Sequence, residues 1–156
     1  MQKLVLYSVL GLSFALLLVV ACSKDKFQTK PSIEIKSISP NPLPKGGNLI
    51  IDLEYTDKEG DLATDSAIYI RKIRINQRPV GQTVRDSFWM PLPGEIPNNT
   101  KGTVRLTLDW ENYAKSAANP PGNPPPPDSL IFRISMRDAS KNASDTVESG
   151  LIIVEQ

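Results

Sequence analysis

The chain contains no histidine and a single cysteine. Histidine is the commonest acid–base group and metal ligand at neutral pH. Its absence, with no second thiol, excludes zinc centres of the usual kind and most nucleophilic triads. Catalysis by carboxylates alone stays open, but no feature of the sequence calls for it, and the chain reads as non-catalytic. One cysteine also excludes a disulfide within the chain, so packing alone must hold the fold. Aromatic residues make up only 6%, while prolines number 14. So many prolines suit short strands and turns, because proline breaks helix interiors. No charge of one sign dominates, with 18 basic and 17 acidic side chains. A basic footprint for nucleic acid is therefore missing.

What is present begins with a secretory pattern. Lys3 precedes an apolar run from Leu4 to Val20, followed by Val19-Val20-Ala21-Cys22. Small residues at a cleavage site behind an apolar run are the mark of a signal peptide. The Val-Val-Ala-Cys segment resembles the lipobox of bacterial lipoproteins. That resemblance implies cleavage after Ala21 and a diacylglycerol on the Cys22 sulfur. The alternative is an uncleaved anchor, since about 18 apolar residues just suffice to span a bilayer. Two or three acyl chains, at about 0.8 kcal/mol per buried CH₂, would anchor the chain firmly. Ser23, by resemblance to the enterobacterial sorting rule, implies the outer membrane. Cys22 to Phe27 is also similar to the charged export tags of surface lipoproteins in Bacteroidota. The expected organisation is a cleaved signal over 1–21, a lipidated tether over 22–31 and one domain over 32–156.

From Ser32 the pattern alternates with period two, the mark of half-buried strands. Ile33 and Ile35 form one inward row, and Ile51, Leu53 and Tyr55 another. Ile68 and Ile70 share one phase and Ile73 and Ile75 the other, which predicts a β-bulge at Arg71-Lys72. Val104, Leu106, Leu108 and Trp110 make a clean row, as do Leu130, Phe132, Ile134 and Met136. Leu151 to Val154 reads as the last strand and Ser87 to Met90 as an edge strand stopped by Pro91. About seven strands and no helix predict an all-β, antiparallel immunoglobulin-like sandwich, with a Greek-key barrel as the alternative. The proline-rich stretch within Asn112 to Asp128 cannot join a sheet and is expected as an exposed polyproline loop.

Directly after the second strand comes Asp57-Lys58-Glu59-Gly60-Asp61-Leu62. Carboxylates at alternate positions around a glycine turn can converge on one hard cation, and calcium takes six to eight oxygens in irregular geometry. A solvated turn, with glycine supplying positive φ, is the simpler alternative. This turn, with a late Arg137-Asp138-Ala139-Ser140-Lys141-Asn142 segment, resembles Ig-like or PKD-like domains of Bacteroidota lipoproteins. The resemblance implies a calcium site at Asp57, Glu59 and Asp61, helped by Asp138 and Asn142. Glu59 stands where aspartate is usual, and Ser140-Lys141 where glycine often precedes the asparagine.

Trp89 and Trp110, with Tyr113 nearby, are candidates for a sugar-stacking platform. Trp110 lies in phase with a buried row and reads as core, which leaves Trp89 as the candidate ligand-binding residue. Asp65-Ser66-Ala67, Asp128-Ser129-Leu130 and Asp145-Thr146-Val147 look like Bacteroidota O-glycosylation sequons. The leading expectation is a lipid-anchored envelope module that binds or assembles with other envelope proteins or glycans. A carbohydrate-binding lipoprotein of a glycan-uptake system and a carboxylate-based hydrolase are the alternatives.

Overall fold

A computed structural model of the chain describes residues 30–62, 65–76, 84–93, 99–115 and 122–156. The signal segment, Cys22 and most of the tether lie outside the described residues. Eight strands occur among the described residues: β1 Ser32–Ser39, β2 Asn48–Thr56, β3 Ile68–Arg74, β4 Ser87–Met90, β5 Lys101–Asp109, β6 Asp128–Met136, β7 Val147–Glu148 and β8 Ile152–Val154. One sheet has the order β1-β2-β5. The other runs β4-β3-β6-β7, with β8 also pairing with β6. All the strand pairs are antiparallel. The predicted all-β sandwich is therefore what forms. Strands one, two and five form one sheet, and three, four, six and the last pair the other, which follows the seven-strand immunoglobulin order except that strand four pairs with strand three.

The core follows from the alternation. Ile51, Leu53, Leu106 and Leu108 face inward from one sheet, and Ile70, Phe132, Ile134 and Met136 from the other, all fully buried. Burying each such side chain contributes about 1.5–3 kcal/mol. The sandwich is also closed at one end by the chain between β1 and β2. Leu43 is fully buried and forms a parallel bridge with Val154. Its N–H donates to the Ile153 carbonyl at 2.8 Å, and its carbonyl accepts from Glu155 N–H at 2.9 Å. Asn41 adds a side-chain clamp, donating to the Leu151 carbonyl and accepting from Ile153 N–H, both at 3.0 Å.

The expected bulge in β3 is absent. Pairing of β3 with β6 runs unbroken from Ile68↔Met136 to Arg74↔Leu130. Lys72, rather than Ile73, therefore takes the inward position and is 3% exposed. Ile73 is half-buried, and Ile75 is 51% exposed. The unbroken ladder is tolerated because the Lys72 ammonium finds an acceptor, the Lys115 carbonyl at 2.7 Å, while its aliphatic stem packs in the core. A register irregularity occurs instead in β1, between Ile35 and Ser37.

The segment after β5 also departs from expectation. Trp110–Ala114 forms one helical turn, closed by Lys115 N–H donating to the Trp110 carbonyl at 2.7 Å. Asp109 caps it, accepting from the Asn112 backbone N–H at 2.8 Å and from the Asn112 side chain at 2.9 Å. Residues 122–127 belong to no strand, as the prolines require. At the start of the domain, Pro31 is buried and Lys30 pairs with Asp145 at 2.7 Å. The docked part of the chain thus begins within the last residues read as tether.

Candidate metal centre and exposed sheet face

β2 ends by delivering Asp57 into a tight turn. Asp57 N–H donates to the Thr100 carbonyl at 2.7 Å, which extends the β2–β5 edge by one residue. Its Oδ2 accepts from Asp61 N–H at 3.0 Å, and its carbonyl accepts from Gly60 N–H at 3.3 Å. Gly60 has φ of 66°, a conformation that glycine adopts at little cost. The side chain of Asp57 therefore organises the turn from within.

The second loop does the same around Asp138. Its Oδ1 accepts from Asn142 N–H and its Oδ2 from the Asn142 side-chain amide, both at 2.7 Å. Ala139 N–H donates to the Asp61 carbonyl at 2.8 Å, and Leu62 forms a bridge with Asp138. These bonds dock the two loops side by side.

Docking brings Glu59, Asp61 and Asp138 together, with one carboxylate oxygen from each lying within 4.8 Å of the others. This group could hold a metal ion. Asp57 sits outside that trio but is 1% exposed and next to it. Burial pushes its carboxyl above the usual range. Hydrogen bonds from the Asp61 and Glu59 backbones oppose that rise, and the negative charges of Asp61 and Asp138 add to it. Asp57 Oδ1 and Asp61 Oδ1 are shielded from solvent and accept no hydrogen bond. Oxygens of that kind are costly unless a cation or proton meets them. Asn142, expected as a ligand, lies beside this group and donates its side-chain N–H to Asp138.

A second feature lies on the outer face of the five-stranded sheet. Trp89 is 48% exposed. Its ring sits 5.0 Å from that of Tyr69, tilted by 47°, and the Arg137 guanidinium lies over it at 4.2 Å. Beside this cluster is a shallow depression of about 410 Å³, whose lining includes Tyr69, Arg71, Arg133, Ser135 and Glu148. Arg133 and Arg137 lie out of phase with the buried row of β6, and the pairing of β3 with β4 and β6 brings Arg137 to Trp89 and Arg133 to the depression. Trp110, by contrast, is 6% exposed and belongs to the core. Tyr113 packs on Phe88, with ring centroids 4.7 Å apart. Of the three hydroxyls in the glycosylation patterns, Thr146 is exposed, while Ser66 and Ser129 are half-buried.

No family model, curated protein or solved structure matches this chain.

Proposed function

We propose that the chain is a non-catalytic, lipid-anchored β-sandwich of the cell envelope that acts as a binding module through the outer face of its larger sheet. The observation that carries this reading is Trp89, a large aromatic left 48% exposed yet fixed by Tyr69 and Arg137. Burying such a side chain in a complex is a common source of binding energy. Carbohydrate is the ligand class that best fits an exposed, immobilised aromatic ring beside hydroxyl and charged side chains. The carboxylate-based hydrolase has less support. Its two groups should flank a bond about 5–10 Å apart, whereas the acidic trio lies closer, around a turn.

In the same reading, Cys22 carries the lipid and the acidic group holds calcium. Every available donor is an oxygen, which suits a hard cation. Two ligands on opposite sides of calcium stand about 4.6–5.2 Å apart, twice the bond length, and the trio fits within that span. Glu59, Asp61 and Asp138 would bind directly, with Asp57 supplying its buried oxygen and Asn142 steadying Asp138. The ion would lock the Asp138 loop and, through the adjacent Arg137, the Trp89 cluster.

Calcium at about 10 mM should raise the melting temperature by roughly 5–10 °C. That corresponds to a Kd of about 10⁻⁴–10⁻³ M and about 1.4–2.7 kcal/mol of linkage. Asp57→Asn should melt higher than the native chain in chelator, because it removes a charge that burial disfavours. It should also gain less from calcium. A native melting curve unmoved by calcium would end the metal reading. Mass spectrometry of membrane-extracted protein should find a lipidated Cys22 at the N-terminus, and an intact 1–21 segment would overturn the anchor.

A further inference from the structure

We infer that the outer face of the five-stranded sheet binds an acidic saccharide, a sugar ring carrying a carboxylate or sulfate group. The inference rests on the glycan form of the binding-module reading and names its ligand class.

Two cross-strand rows meet on this face. In one, Trp89 on β4 pairs with Tyr69 on β3, which pairs with Ser135 on β6. In the next, Arg71 on β3 pairs with Arg133 on β6, which pairs with Glu148 on β7. Directly opposed like charges destabilise a sheet. Glu148 answers one of them, binding Arg133 Nε at 2.7 Å. Arg71 is exposed and has no ion pair among the described residues. The face therefore carries two arginines more than its own carboxylates neutralise, Arg137 over Trp89 and Arg71 at the 410 Å³ depression. That volume is at the small end of the range for ligand pockets, about 300–1,000 Å³.

An anionic group seated at Arg71 would supply the missing counter-charge, and a guanidinium receives carboxylate or sulfate through two parallel hydrogen bonds. One row away, Tyr69 and Trp89 offer aromatic surface for the apolar face of a sugar ring. Ser135 and Glu148 present hydrogen-bonding atoms suited to ring hydroxyls. An acidic peptide is the poorer fit, because acidic side chains offer no flat apolar ring face to lie on Tyr69 and Trp89.

The test is titration calorimetry on the full mature chain. The probes are an oligogalacturonate, a sulfated oligosaccharide, a neutral glucan oligosaccharide and polyglutamate. Binding to either acidic saccharide and not to the neutral one is expected, and the two arms tell carboxylate from sulfate. Arg71→Ala and Trp89→Ala should each weaken it at least about tenfold, and raised salt should weaken it as well. Arg71→Lys, which keeps the charge but loses the fork, should fall between. Arg105→Ala, on the opposite sheet, should leave it unchanged. All three side chains are exposed, so melting curves should confirm folded variants. Equal binding of the neutral glucan, unaffected by Arg71→Ala, would overturn the acidic ligand and leave the glycan reading standing. Polyglutamate binding as tightly as the saccharides would overturn the ligand class. Binding of no saccharide would overturn both.

Discussion

Trp110→Ala is expected to destabilise the domain by about 3–5 kcal/mol, the range for removing a large aromatic from a packed core. For a domain of this size that lowers the melting temperature by on the order of 10 °C or more. Three connections fail together. The ring is 6% exposed and closes the end of the β5 row. Its Nε1–H donates to the Glu155 carbonyl at 2.8 Å, which ties β5 to the segment after β8. Lys45 and Lys115 place their ammonium groups 5.8 and 5.2 Å from the ring centre, which adds cation–π attraction. Trp110→Phe keeps most of the apolar contact but loses the hydrogen bond, so about 1–2 kcal/mol should be lost. Trp89→Ala removes a half-exposed ring and should cost under about 1 kcal/mol. Urea titrations of the three variants check this ordering. A Trp110→Ala protein within about 1 kcal/mol of the native chain would show that the ring is not part of the core.

The contrast between the two tryptophans shows what the sequence could disclose. Trp110 continues the strict alternation of Val104, Leu106 and Leu108, so its burial is legible from phase alone. Trp89 sits in a four-residue strand next to Phe88 and Met90, where alternation gives its phase weakly. Its partners could not be read at all, because Tyr69 and Arg137 reach it only through the β3–β4 and β3–β6 pairings. The acidic turn was legible as a turn from Asp57, Gly60 and Asp61. Its convergence with Asp138 was reached only through resemblance, since a contact 77–81 positions along the chain leaves no local trace. The arginine pair across β3 and β6 was missed for the same reason. Each arginine reads as an ordinary outward charge until register sets one opposite the other. The helical turn after β5 had a local signal that went unused: Asp109 three residues before Asn112 is a capping arrangement.

Lys72 is where local pattern and tertiary structure disagree most, and it gives the strongest pH dependence. Its inward phase matches Ile68 and Ile70, so the ammonium enters the core with one acceptor, the Lys115 carbonyl. Burial lowers its pKa from 10.5 to about 8, with nearby Asp86 opposing the shift and Arg74 adding to it. Between those values the unfolded chain binds the proton and the folded chain releases it. Stability therefore rises with pH across this window. From pH 8 to about 9.5 the gain attributable to Lys72 should be about 2 kcal/mol, at about 1.4 kcal/mol per unit. Two groups act the other way. Burial raises the Tyr55 pKa, helped by Asp57, so its contribution is lost above about pH 10. Lys36 is raised by its hydrogen bonds to Glu54 and Glu34, and its contribution likewise falls at high pH. Comparing the native chain with Lys72→Met cancels both. The methionine variant should be more stable near pH 7, because an apolar chain replaces a buried charge. The stability difference should then shrink steadily towards pH 9.5. A difference constant across this range would mean that the amine is solvated or already neutral at pH 7.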